Sequence, residues 1–269
     1  MNSELVFKNI FKKLREEGKY SSPRGLKIIE CENFSYSLPP YVRFCSFESR
    51  KLNVEYIKKE FLWYLKGDRF DTSITKSASM WKQLVNDDGS INSNYGQYIF
   101  KDGHFDRVAN ILRNDKDSRR AAFVILSNEH LKSETKDYPC TYSINFHIRE
   151  NKLNMIVRMR SQDGIYGMGN DAPCFSFIHE MMFAELKDVY KDLEYGVYYH
   201  SADSFHVYEK HFDLLEKLEN DTYNIVECPK ITGKDEVDFL RKGIFEEIPV
   251  RFQFTHWLLS SVQELNTMI

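Results

Sequence analysis

Between Pro139 and Asp171 the chain reads "PCTYSINFHIRENKLNMIVRMRSQDGIYGMGND". A single cysteine opens this stretch, Arg160-Ser161-Gln162-Asp163 stands in its second half, and a carboxylate closes it. Cys140 is a candidate nucleophile if cations lie near enough to favour its thiolate; without them, a lone cysteine reads equally as a small buried hydrophobe. Arg160, and Arg119-Arg120 in "DSRRAAF", are such cations. Arginines at strand ends commonly serve weak surface ion pairs. With the Ser161 hydroxyl, however, they match a phosphomonoester, which favours planar bidentate donors, and Arg24 in the turn "SPRG" can add a contact. Glu60 lies inside the apolar pattern "YIKKEFLWYL", either as a carboxylate on a solvent face or as a proton relay beside a pocket. His206 and Tyr208 in "FHVYEKHF" fit packing residues singly and a sugar-hydroxyl pair together.

The elements that must position these groups follow from periodicity. Apolar residues at helical spacing predict helices over 4–17, 50–66 and 105–113, the first two ended by Gly18 and Gly67. "SSPRG" and "NDDGSINSNYGQY" carry turn chemistry, and "LKIIECENFSYSL" between them reads as extended. "RRAAFVILS" predicts a buried strand. The alternating runs 141–148 and 153–160, joined by "RENK", predict a hairpin with Cys140 and Arg160 at its open end. "GMGND" reads as the turn that follows it. Residues 174–193, apolar and free of Gly and Pro, predict a buried helix; 195–218 reads as strand, turn and helix, with His206 and Tyr208 at that helix's start. The end, 246–269, predicts a terminal helix. The expected architecture is one α+β domain over 1–269, built on a mostly antiparallel sheet packed with helices.

Composition narrows the function classes. The chain has 269 residues, a formal charge of -3, and 42% hydrophobic and 14% aromatic residues, enough for a substantial core. Near-neutral charge argues against general nucleic-acid coating, so any phosphate must be held by a few placed arginines. The five cysteines (Cys31, Cys45, Cys140, Cys174, Cys228) are odd in number, with no CxxC pair and no Cys/His cluster of zinc spacing. Reduced thiols, no metal, no membrane span and a cytoplasmic location are expected. The amphipathic start "MNSELVFKNIFKKLREEGKY" is not a signal peptide.

Read in order, "KKEFLWYLKGD", "MWKQLVNDDGSINSNYG", "DSRRAAFVI", "YPCTYSINF", "MRSQDGIYGMGND" and "FHVY" resemble the thymidylate synthase family from about Ser21 to about Phe212. The resemblance implies that Cys140 attacks C6 of a pyrimidine nucleotide, with methylenetetrahydrofolate as co-substrate. It implies that Arg24, Arg160 and Ser161 grip the 5′-phosphate. Arg119 and Arg120 would be lent across a homodimer interface formed by the sheet. Glu60 would order water and relay protons, and Tyr95 would sit near C5. Asp163, Trp81 and Gly167 would bind folate, and His206 and Tyr208 the ribose 3′-hydroxyl.

Asp171 separates branches of that family. Thymidylate synthases carry asparagine here in a "GLPFN" pattern, whereas this chain has "GMGND". An asparagine amide complements uracil O4 and N3–H. A carboxyl instead accepts from the 4-amino group of cytosine and shares a proton with N3. An ionised aspartate facing uracil O4 would set acceptor against acceptor, costing at least ~1–3 kcal/mol. Thr141, in place of the usual histidine after the nucleophile, agrees in resembling the deoxycytidylate hydroxymethylases of bacteriophages. The expected activity is therefore C5 hydroxymethylation of dCMP, water capturing the transferred methylene. CMP hydroxymethylation, dUMP or dCMP methylation, and an inactive nucleotide- or RNA-binding relative are the alternatives. The end of the chain departs from the family's short apolar tail, and Asn145 replaces its glutamine.

Overall fold

The computed structural model describes residues 3–131 and 135–260. Its elements in chain order are α1 (Ser3–Glu17), β1 (Lys19–Ser21), β2 (Ile28–Leu38), α2 (Val54–Lys66), α3 (Gly96–Ile99), α4 (His104–Asn114), β3 (Ala122–Val124), β4 (Thr141–Arg149), β5 (Lys152–Asp163), α5 (Tyr166–Lys187), β6 (Glu194–Tyr208), α6 (Phe212–Lys217), α7 (Lys234–Lys242) and α8 (Gln253–Leu259). The strands form one sheet in the order β1-β2-β6-β5-β4-β3. Every pairing is antiparallel except β5 with β6, which run parallel. The α5 crossover between those two strands supplies the return path that a parallel pair needs. The expected α+β architecture with a mostly antiparallel sheet is what the chain adopts.

Alternation decides which sheet face is covered. Ile144, Phe146 and Ile148 on β4, Leu153, Met155, Val157 and Met159 on β5, and Tyr198, His200 and Ala202 on β6 are buried against helices. Their neighbours Asn145, Ile156 and Tyr199 lie on the opposite, open face, half-buried or exposed. Helix α2 starts at the Asn53 cap, whose side chain accepts the Tyr56 N–H at 2.9 Å. It ends at Gly67 in left-handed conformation (φ 59). Helix α5 passes against Arg50, a fully buried side chain bonded to Ile165 O at 3.0 Å and Asn170 Oδ1 at 3.1 Å. A Cβ at Gly169 would lie 2.0 Å from Arg50 Nη2, so only glycine admits the guanidinium there.

Several boundaries differ from expectation. Helix α5 begins at Tyr166, not 174, and takes in Gly167, Gly169 and Pro173. Its start is held by Asp163, whose Oδ1 accepts the N–H groups of Ile165, Tyr166 and Gly167. Asp171 therefore sits in the second turn of a helix rather than in a turn after the hairpin. "SADS" is not a turn either: β6 continues to Tyr208 because β2 and β5 hydrogen-bond it on both sides. His206 and Tyr208 thus end a strand instead of starting a helix. Strand β3 is three residues long, α2 begins at Val54, and α8 covers only Gln253–Leu259 of the expected terminal helix, residues after 260 lying outside those described. Among the described residues no helix is long and apolar enough to cross a membrane.

Candidate active site

The open end of the β4–β5 hairpin brings Cys140 and Arg160 together. Arg160 N–H donates to Cys140 O at 2.8 Å, and Nη2 lies 3.5 Å from Cys140 Sγ. The guanidinium is aimed by two carbonyls, Pro139 O at 3.0 Å from Nε and Tyr138 O at 2.7 Å from Nη2. Just upstream, the buried Asp137 carboxylate accepts Ser93 N–H and Oγ–H, both at 2.6 Å. The loop that carries Cys140 is thus pinned from two sides. Burial pushes the Cys140 thiol up and Asp171 and Asp137 add to this, against the opposing pull of Arg160 and Arg24. Of the expected cations Arg160 is here, joined by Arg24 but not by Arg119 or Arg120; in the resting site burial outweighs the two and the thiol stays protonated.

Glu60 is not on a solvent face. Helix α2 is buried almost all round, and Glu60 is 3% exposed. Its Oε1 accepts Tyr56 O–H at 3.1 Å, and Tyr56 Oη in turn accepts Trp81 Nε1–H at 2.9 Å. Cys174 Sγ stands 3.9 Å from Oε2. Burial, with Asp171 nearby, pushes the Glu60 carboxyl up to about 8. Asp171 is likewise pushed up to about 7 by burial, Gln162 opposing and Asp163 adding. Gln162 Nε2 donates to Asp171 Oδ2 at 3.2 Å. Two carboxyls that can each hold a proton near neutral pH therefore come, from two helices, close enough for the charge of Asp171 to act on Glu60.

Other expected residues gather round them. Tyr95, buried before α3, is raised by burial and by the proximity of Cys140 and Asp171. Arg24 occupies a turn of 3-10 helix, itself in left-handed backbone (φ 55), and acts on both Cys140 and Tyr208. The β5–β6 register sets Ser161 beside Ser204 and Asp163 beside His206, and the His206 ring meets Tyr208 at 4.9 Å. Gly167 leaves bare backbone near Asp171: a Cβ there would lie 3.8 Å from Oδ2. Asp163 has one oxygen committed to the start of α5, and Trp81 has its N–H committed to Tyr56. Arg119 and Arg120 are exposed, and among the described residues no hydrogen bond or ion pair joins either side chain to this cluster. Asn145 Nδ2 bonds within the hairpin, to Ser143 Oγ at 2.9 Å.

A family model for thymidylate synthase matches residues 6–250. The chain belongs to the thymidylate synthase family. Among curated relatives, it is 29% identical over 213 residues to the deoxycytidylate 5-hydroxymethyltransferase of Enterobacteria phage T4, covering 76% of this chain and 85% of that protein. It is 28% identical to the deoxyuridylate hydroxymethyltransferase of Bacillus phage SP01, over 76% of this chain and 56% of that protein. With the thymidylate synthase of Clostridium beijerinckii it shares 27% identity over 66% of each chain. This member of the thymidylate synthase family is thus a transferase, of a family whose substrates are a pyrimidine nucleotide and a folate.

Sequence reasoning passed over Tyr36, Tyr56 and Gln162. Tyr56 and Gln162 adjoin quoted motifs, so only their partners were hidden. Tyr36 lies 126 residues from Gln162, the acceptor of its hydroxyl, and no local pattern signals that pairing.

Proposed function

We propose that the enzyme hydroxymethylates C5 of dCMP: dCMP, methylenetetrahydrofolate and water give 5-hydroxymethyl-dCMP and tetrahydrofolate. The observation that carries this reading is the Asp171 carboxyl, whose proton affinity lies near neutrality. A protonated carboxyl presents one acceptor and one donor side by side, the complement of cytosine's 4-amino group and N3. Donation at N3 draws electrons from C6 and favours addition of Cys140 Sγ there. Arg160, 3.5 Å from the sulfur, stabilises the thiolate as it forms. Addition leaves C5 nucleophilic, and it takes the methylene carried by the folate. Tyr95 stands where the C5 proton must leave; as it leaves, the bond from the methylene to the folate nitrogen breaks and tetrahydrofolate departs. Glu60, able to hold or release a proton near pH 8, positions the water that captures the exocyclic methylene, after which Cys140 is expelled.

In this reading Arg24, Arg160 and Ser161 hold the 5′-phosphate, and His206 with Tyr208 addresses the 3′-hydroxyl. Arg119 and Arg120, whose side chains are exposed and make no hydrogen bond or ion pair to the Cys140 cluster among the described residues, reach the phosphate of a second copy docked on the open sheet face. Trp81, Asp163 and Gly167 border the folate. Support for hydroxymethylation over methylation comes from the two phage hydroxymethyltransferases among the relatives.

The test is incubation of dCMP, CMP and dUMP with methylenetetrahydrofolate, following C5 tritium release, product mass and dihydrofolate absorbance. Fastest release from dCMP, a hydroxymethylated product and no dihydrofolate are expected. Dihydrofolate rising in step with product would mean methylation, and faster reaction of dUMP or CMP would overturn the substrate.

A further inference from the structure

A carboxyl that carries a proton near neutral pH is by itself ambiguous. With the proton on one oxygen it complements cytosine; with the proton on the other it complements uracil, whose edge is acceptor O4 and donor N3–H. Base discrimination by Asp171 needs a group that decides which oxygen is protonated.

We propose that Gln162, locked in one orientation by Tyr36, is the specificity-determining positioning residue that makes Asp171 Oδ2 the acceptor and directs the proton to Oδ1. The inference rests on the cytosine reading of the site. Gln162 Nε2 donates to Oδ2 at 3.2 Å, and an oxygen already receiving an amide donor is the poorer seat for a proton. The amide cannot turn over freely, because its Oε1 accepts the Tyr36 hydroxyl at 3.1 Å. Gln162 is 2% exposed and Tyr36 9%, so water does not replace either partner, and a flipped amide would leave buried groups mismatched.

The Tyr36 ring is itself fixed, stacked on His200 at 4.7 Å between centroids. Beside its hydroxyl stands that of Tyr198, which interacts with it and lies 2.8 Å from His200 Nδ1. His200 Nε2 is buried without a partner among the described residues. A bare Nε2 lone pair is the milder omission there, which puts the ring proton on Nδ1, facing Tyr198. From that end each donor points toward the next group: His200 Nδ1–H to Tyr198, Tyr198 to Tyr36, Tyr36 to Gln162 Oε1, and Gln162 Nε2–H to Asp171. The direction of the whole relay is set before any nucleotide arrives.

Gln162→Met, similar in length but without a donor, tests this through kcat/KM for dCMP and dUMP and its pH dependence. The dCMP-to-dUMP preference should fall about tenfold, the worth of one hydrogen bond, largely through faster dUMP turnover. The fall in dCMP activity as Asp171 ionises should move to higher pH, because a donor to the carboxylate has been removed. Tyr36→Phe, which keeps the stacked ring, should shift the preference the same way by a smaller factor, and it carries the test if Gln162→Met does not fold. An unchanged preference and pH profile in a folded, dCMP-active variant would overturn the proposal. Failure of the cytosine reading is separable: it would show as wild-type preference for dUMP, whatever the variants do.

Discussion

Two buried glutamates, Glu236 on α7 and Glu60 on α2, differ in how many donors reach them. Glu236 is 0% exposed and accepts four: Thr232 N–H at 2.7 Å and Oγ1 at 2.8 Å, and Thr255 N–H and Oγ1 at 2.9 Å. It ties α7 to α8 and leaves no lone pair for chemistry. Glu60, 3% exposed, is reached by the hydroxyls of Tyr56 and Tyr64 and by a distant thiol, with no backbone N–H among the described residues. Asp171 sides with Glu60, holding a single neutral donor. In the proposed function burial alone does not mark a working carboxyl; burial with fewer donors than lone pairs does, because the charge is then left for substrate or water to meet.

The severest break is at the Cys140 sulfur, on which the Asp171 carboxyl acts. Cys140→Ala should abolish C5 tritium release while nucleotide binding, followed by calorimetry, persists; release at wild-type rate would remove Cys140 as nucleophile. Next, the two glutamates should separate under the same substitution. Glu60→Gln should lower kcat by about 10²–10⁴ without loss of fold. Glu236→Gln turns an amide N–H against threonine donors, so it should lose about 3 kcal/mol of stability and keep its turnover per folded molecule. Denaturant titration and kcat on both variants check this.

A smaller effect is the pH dependence of stability. The folded Glu60 carboxyl is raised to about 8 from 4.5, so between those values the unfolded chain has released a proton that the folded chain still holds. Its contribution is fully present below about 4.5 and is lost as pH rises through about 8. Glu60→Gln should therefore gain on wild type with rising pH, by a few kcal/mol at most. Parallel stability curves for the two proteins would contradict the raised carboxyl.

What could be read from the sequence was local. Alternation in Thr141–Arg149 and Lys152–Asp163 is strong enough to place Cys140 and Arg160 at one hairpin mouth. The burial of Glu60 was not legible, because "KKE" reads as a polar helix face. In the fold Lys58 is buried too, with Nζ 4.8 Å from the Trp257 ring centre of α8, two hundred residues away in sequence. The helical setting of Asp171 was hidden in "GMGND", turn-like residues made helical by the Asp163 cap and by Arg50. "SADS" looked like a turn because its two flanking strands come from distant parts of the chain. Arg119 and Arg120 lie exposed, and the role proposed for them needs a second copy, which one chain does not supply.

The central claim is that a carboxyl at position 171 reads cytosine, and Asp171→Asn tests it most directly. Relative kcat/KM for dCMP and dUMP should invert, with dCMP favoured by wild type and dUMP by the variant. The same base preference in both proteins would contradict the account.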